Sequence, residues 1–197
     1  MIIYCIPSIM SLKILVNDET TDKNSVHSYL ETYEELFHKK QNENINILEI
    51  GVYQGGSIKL WKDYFINGTV YGVDICGNEY MRESDIVSHE RVKLYLKSDA
   101  YSEEFVREKL SSTAFDFLVD DGPHTLESMK FFIRHYSPLL KDDGILIIED
   151  IQEYDWIQAL QDATPEHLKP CVNIYDLRHV KNRYDDIMFV INKSVSF

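Results

Sequence analysis

Two short acidic stretches hold the residue types with the greatest chemical reach in this chain. One is Asp120-Asp121-Gly122-Pro123-His124, the other Glu149-Asp150. Crowded carboxylates repel one another unless a cation sits among them. Oxygen donors of this kind suit magnesium, manganese or calcium rather than zinc. A divalent ion held by Asp121, Glu149 and Asp150 would bind two vicinal hydroxyls and lower the pKa of one. His124 would then take the proton as general base, with Asp121 beside it in the catalytic set. Each residue also has a plain structural reading. Asp120 and Asp150 can cap strand ends, and His124 can be a hydrogen-bonded loop residue. The combination, not any single member, points to metal-assisted chemistry.

The flanking elements explain how these residues would meet. Phe117, Leu118 and Val119 form an apolar run before the first stretch, and Ile145 to Ile148 form another before the second. Met129, Phe132, Ile133, Tyr136 and Leu139 recur at helical spacing between them, and Asp142-Asp143-Gly144 reads as a turn. Strand, helix, strand implies parallel neighbours, whose carboxyl ends lie on one edge of a sheet. Asp121, His124, Glu149 and Asp150 are therefore expected to converge there.

A second unit of the same kind runs from Ile45 to Asp74. Ile47, Leu48 and Ile50 form a strand-like run, Gly51, Gly55 and Gly56 break it, and Ile58 to Phe65 are helically spaced. Val70 to Val73 then lead to Asp74. Such a unit binds adenosine: glycines allow close approach, and the terminal acid accepts hydrogen bonds from ribose hydroxyls. Tyr53 stands where a dinucleotide fingerprint would have its second glycine. Glu49, just before Gly51, would repel a pyrophosphate and suits a cationic ligand.

The remaining chain reads as further α/β elements. Asp22 or Asn24 can cap a helix running through Val26, Tyr29, Leu30, Tyr33, Leu36 and Phe37. Glu79 to Val87 reads as a short helix, Val92 to Leu96 as a strand closed by Ser98-Asp99-Ala100, and Glu103 to Leu110 as a helix. Near the end, Val172 to Leu177 and Ile187 to Ile191 alternate as strands around a polar loop from Arg178 to Asp186. His179, Arg183, Asp185 and Asp186 are candidates for a substrate mouth there, with a solvated loop as the alternative, and Tyr154, Trp156 and Tyr175 for stacking on a ligand ring, with core packing as the default.

The 197 residues are 44% hydrophobic, which suits one globular domain, with 1–44 as an N-terminal arm and helix and 45–192 as the core sheet. A net charge of −13 and no basic cluster argue against nucleic acid or an anionic membrane as partner. The apolar opening from Met1 to Met10 is too short to span a bilayer and lacks a signal peptide's basic start; it reads as an edge strand or loose arm. Cys5, Cys76 and Cys171 fit reduced thiols and a cytoplasmic setting. A homodimer is compatible with the pattern.

LEIGVYQGGS resembles the first motif of the class I S-adenosylmethionine-dependent methyltransferases. TDKxxxHxYxxxY, LEIGVYQGGSIKLW, YGVDI, FDFLVDDGPH and GILIIED follow one another in the order seen in a group of metal-dependent sugar O-methyltransferases related to the mycinamicin and macrocin enzymes. The cephalosporin hydroxylase-like group is similar in the last two motifs. The resemblance covers roughly residues 20 to 192. It implies a doubly wound, mostly parallel seven-stranded Rossmann-like sheet ending in an antiparallel hairpin. It also implies S-adenosylmethionine, Mg2+ or a similar divalent cation, and a sugar, nucleotide-sugar or glycoside acceptor. Asp121, Glu149 and Asp150 match its metal ligands, and His124 its base. Glu49, Gly51, Asp74 and Asp99 match its cofactor positions, with Tyr53, Gly55, Ser57, Ile75, Ala100 and Asp120 as further expected lining. Pro123 departs from the usual serine. Catechol methylation, a dehydrogenase and a non-catalytic S-adenosylmethionine-binding module are the alternatives; Glu49 and Tyr53 weigh against the dehydrogenase.

Overall fold

In the computed structural model, which describes residues 10–194, the apolar runs become strands of one sheet. The expected N-terminal edge strand or arm, and Cys5 within it, lie outside the described residues. The chain runs through α1 (Leu12–Leu15), α2 (Leu30–Phe37), β1 (Asn46–Ile50), α3 (Gly56–Tyr64), β2 (Thr69–Asp74), β3 (Val92–Leu96) and α4 (Glu103–Phe105). It continues through β4 (Phe115–Asp120), α5 (Leu126–Tyr136), β5 (Leu140–Ile148), α6 (Trp156–Ala163), β6 (Val172–Asp176), α7 (Arg178–Lys181) and β7 (Ile187–Asn192).

The seven strands lie in the order β3-β2-β1-β4-β5-β7-β6. Pairing is parallel from β3 across to β5. β7 inserts antiparallel between β5 and β6, closing the sheet with the expected hairpin. Strand order reverses between β1 and β4, and a ligand crevice opens at such a switch point.

Alternation along the strands divides the core between the two faces. Leu48, Leu118 and Leu146 pack with Met129, Phe132 and Tyr136 of α5 on one side. Ile47, Phe117 and Ile147 pack with Tyr33, Phe37 and Trp61 on the other. Both faces of a parallel sheet are thus covered, which is why its strands read as nearly continuous apolar runs. Glu49 breaks that rule inside β1, at 0% exposed, and Lys23, in the segment before α2, is buried to 1%. No helix among the described residues is long and apolar enough to cross a membrane.

Several local expectations need correction. Asp142-Asp143-Gly144 is not a turn: it lies inside β5, where the register with β4 shifts between Phe115 and Phe117. Glu79 to Val87 forms two single turns, Asn78–Tyr80 and Ser84–Ile86, rather than a helix. Neither Asp22 nor Asn24 caps α2. That helix starts only at Leu30 and has no side-chain cap, because residues before it turn inward to make tertiary contacts. The helix after Ser102 is α4 followed by a wider π-type turn, Val106–Leu110. The loop after β6 contains α7.

Candidate active site

Two clefts open side by side at the carboxyl edge of β1, β2 and β4. The first, about 510 Å3, is lined by Gly51, Tyr53, Asp74, Ile75, Asp99, Ala100 and Asp121, with Ile50, Val73, Tyr101 and Pro123 among its walls. None of its lining residues is basic. The second, about 340 Å3, is lined by Glu19, Thr20, Thr21 and Asp22 on one side and by Gln54, Ser57, His124 and Asp150 on the other. Gly51, Tyr53 and Asp121 belong to both.

The glycine turn makes this junction possible. Gly51 has φ +94°, and a Cβ there would lie 2.0 Å from the Asp121 carbonyl oxygen. The two loops touch through bare backbone, which only glycine permits. Asp74 locks the turn: Oδ2 accepts from the Val52 and Tyr53 amides at 2.8 Å each, and Oδ1 from the Cys76 amide at 2.7 Å. Three non-glycine residues with positive φ sit here, Tyr53, His124 and Asp150. Left-handed backbone in such residues clusters at functional sites.

The acids at the strand ends divide into two groups that share Asp121. Toward the second cleft, donor atoms of Asp121, His124 and Asp150 lie within 4.8 Å of one another. His124 Nε2 is 3.8 Å from Asp121 Oδ1 and 3.6 Å from Asp150 Oδ2. Behind them, Glu49, Asp121 and Glu149 surround the ammonium of Lys23, with Nζ 3.1 Å from Glu49 Oε1 and 2.8 Å from Asp121 Oδ2. Lys23 also donates to Glu149 Oε2, and the Tyr33 hydroxyl donates to Glu149 Oε1 at 2.8 Å. Burial disfavours charge on Lys23, but the three carboxylates outweigh it and hold the ammonium well above lysine's ordinary pKa. Burial pushes the Glu149 carboxyl up, and Lys23 opposes this only in part.

Asp150 is held from behind as well. It accepts from the Tyr29 hydroxyl, and His27 Nδ1 lies 3.1 Å from its Oδ1 and 3.2 Å from Asp186 Oδ1. Burial, then the nearby Asp121 charge, raises the Asp150 pKa. Asp120 is buried behind Tyr101 and Gly122 of the first cleft and lines neither cleft itself. It accepts from the Tyr101 hydroxyl, and burial lifts its pKa to about 6.

Of the residues expected to hold a cofactor, Gly51, Tyr53, Asp74, Ile75, Asp99 and Ala100 line the first cleft and Ser57 the second. Glu49, Gly55 and Asp120 line neither. The cation that Glu49 meets is Lys23, and its other oxygen accepts from Trp61 Nε1 at 2.6 Å. Gly55 instead faces Ile86 and Met81. Of the expected metal ligands, Asp121 and Asp150 reach the second cleft, while Glu149 is 1% exposed and engaged by Lys23 and Tyr33. His179, Arg183, Asp185 and Asp186 do not line either cleft; Asp186 is fully buried and Arg183 pairs with Asp185. Tyr154, Trp156 and Tyr175 also lie elsewhere, Tyr154 beneath the guanidinium of Arg178.

The inward role of Lys23 and Tyr29 has almost no signature in residue spacing. The only signal was the spacing Lys-x-x-x-His-x-Tyr-x-x-x-Tyr, which also fits a half-buried helix face. Tyr101, clamped on Asp120, carried no signal.

A family described as methyltransferase domain matches residues 48–151. The chain belongs to this methyltransferase-domain family. Among curated relatives, an 8-demethyl-8-alpha-L-rhamnosyl tetracenomycin-C 2'-O-methyltransferase from Streptomyces olivaceus is 30% identical over 77% of this chain and 40% of its own length. The demethylmacrocin O-methyltransferase of Streptomyces fradiae is 28% identical over 72% of this chain and 36% of its own. The mycinamicin VI 2''-O-methyltransferase of Micromonospora griseorubida is 27% identical over 66% and 33%. This methyltransferase domain therefore spans well under half the length of these relatives. In three dimensions it resembles the MycE methyltransferase of mycinamycin biosynthesis, solved with Mg and SAH. The TM-score is 0.71 at 24% identity, covering 93% of this chain and 55% of that one. That likeness shows the shared fold.

Proposed function

We propose that this chain is an S-adenosylmethionine-dependent O-methyltransferase that methylates a hydroxyl of a sugar or glycosylated metabolite with the help of a divalent cation such as Mg2+. The observation that carries this reading is the junction of the two clefts at Gly51, Tyr53 and Asp121, with His124 and Asp150 on the second only. Residues 45–192 would form the catalytic unit, and the segment before them would roof the acceptor side.

The first cleft suits adenosine attached to a cation. Ile50, Val73, Ile75 and Ala100 offer apolar contact, while Asp74, Asp99 and Asp121 supply carboxylates and no lining side chain is basic. A pyrophosphate would find only repulsion there, which weighs against a dinucleotide. The second cleft suits a polyhydroxylated acceptor, with Thr21, Gln54 and Ser57 among its polar lining. The curated relatives are named as methyltransferases of rhamnosyl tetracenomycin, demethylmacrocin and mycinamicin, which supports a glycoside acceptor.

Carboxylate oxygens of Asp121 and Asp150 beside the His124 imidazole form a donor set that a hard divalent cation accepts. Asp121 and Asp150 would hold it, with Glu149 behind Asp121. When bound, S-adenosylmethionine would supply an activated methyl group, which the acceptor oxygen would take as the carbon–sulfur bond breaks toward sulfur, and the cation would lower the pKa of the acceptor hydroxyl. His124 Nε2 is placed to receive that hydroxyl's proton. Gly51 and Tyr53 set the approach, so the protein's contribution is alignment and charge stabilisation.

The deciding experiment transfers labelled methyl groups from S-adenosylmethionine to a panel of glycosides, nucleotide sugars and catechols, with Mg2+ or with EDTA. Transfer to a sugar hydroxyl that stops in EDTA and returns with Mg2+ is the expected result. Transfer to catechols alone would replace the acceptor class. Failure to bind S-adenosylmethionine would overturn the reading altogether.

A further inference from the structure

Lys23 has no assigned task in the proposed reaction, yet it is among the most buried large side chains of the protein, at 1% exposed. Its ammonium sits between three carboxylates whose donor atoms lie within 4.8 Å of one another, a spacing that could hold a metal ion. It donates to Asp121 and Glu149, and Glu49 Oε1 lies 3.1 Å away. That Glu49 oxygen is buried, has no hydrogen-bond partner, and faces the ammonium as an ionic contact alone. The outer oxygens are already satisfied, Glu49 Oε2 by Trp61 and Glu149 Oε1 by Tyr33. The cluster is thus built around a cation, and the cation is part of the chain.

Asp121 bridges this inner position to the outer one. Its Oδ2 accepts from Lys23, while its Oδ1 faces His124 on the side of the acceptor cleft. We infer that Lys23 is a resident cation occupying the inner of two adjoining cation positions, so that the acid cluster is pre-organised without metal and leaves only the outer position for an exchangeable divalent ion. Removing one partner of a buried ion pair leaves uncompensated charge. Taking away the lysine should therefore either open the inner position to a metal or destabilise the fold in its absence. Lys23 is a positioning residue here. The outer position rests on the proposed function; the inner one does not.

The test compares the full chain with Lys23→Met and with Lys23→Met/Glu149→Gln. Bound Mn2+ is counted by equilibrium dialysis and electron paramagnetic resonance, and melting is followed in EDTA and in Mn2+. Lys23→Met is expected to bind one Mn2+ more per chain than the wild type. Its melting temperature should fall in EDTA and recover in Mn2+. The double variant, with one fewer buried negative charge, should melt above Lys23→Met in EDTA and lose the added site. Equal Mn2+ counts and equal melting in wild type and Lys23→Met would overturn the inference, as would a second tight Mn2+ on the wild type. If Lys23→Met folds only in Mn2+, the inference stands. If neither variant folds in either condition, Lys23 acts through packing and the inference falls. A wild type that binds no Mn2+ would refute the metal-assisted reaction, while the difference in count between wild type and Lys23→Met still decides the role of Lys23.

Discussion

His124 and Asp74 show how differently single residues serve this site. His124 holds a left-handed backbone, φ 51°, with its imidazole between Asp121 and Asp150. Asparagine tolerates that conformation, so His124→Asn removes the base without disturbing the loop. Methyl transfer should fall by about a hundredfold or more, with S-adenosylmethionine affinity unchanged by calorimetry. A loss below about tenfold would assign the proton to another acceptor. Asp74 has a double task. Its carboxylate anchors three backbone amides and also lines the first cleft. Asp74→Ala should therefore weaken cofactor binding by about tenfold or more, since charge-assisted hydrogen bonds contribute roughly 1.5–3 kcal/mol each. Unchanged affinity in the same titration would remove Asp74 from the cofactor site.

At the scale of elements, the glycine turn and its cover form one unit. A Cβ at Gly55 would meet Ile86 and Met81, so the turn Ser84–Ile86 lies directly over the start of α3. Lys62, near the end of α3, reaches that turn through Asp85 at 2.9 Å. The hydrogen bond from Lys62 holds the Asp85 carboxyl below the usual carboxylate range. A depressed folded-state pKa stabilises the protein above the unfolded pKa, near 4, and the contribution disappears as pH falls through the folded value. Asp85 is half exposed, so solvent limits the contribution. Asp85→Asn should lower stability by less than about 1 kcal/mol at pH 7, and the gap to wild type should narrow at acid pH, below the unfolded pKa. Urea melts at neutral and at acid pH would show this; a gap that persists at low pH would mean that packing, not charge, ties the two elements.

For the molecule as a whole, charge is the distinctive property. A net charge of −13 over 197 residues produces self-repulsion that the unfolded chain relieves. Screening lengths shrink from about 30 Å at 0.01 M salt to about 8 Å at 0.15 M, enough to weaken repulsion across the surface while barely touching buried pairs such as Lys23 with Asp121. The melting temperature should rise as NaCl is added over that range in EDTA. A fall would mean that favourable surface pairs outweigh the net repulsion. Most of the buried charges gather at the carboxyl edge of the sheet, where the strand order reverses between β1 and β4.

The sheet, the helices that join β1 to β2 and β4 to β5, and the gathering of strand-end acids at one edge were legible from the chain alone. Nearly continuous apolar runs, glycines after β1 and acids at strand ends are local signals, and parallel pairing carries strand-end residues to one edge. Local patterning could not decide which acid faces which cleft. Asp121 and Asp150 turn toward the acceptor side, whereas Glu149 and Glu49 turn inward to Lys23, a residue distant in sequence. Nor could it reveal that residues 18–28 would forgo a helix and send Lys23 and His27 into the core. Buried charge pairs are chosen by three-dimensional complementarity between segments, and their energies depend on distance and burial, neither of which is written in residue spacing.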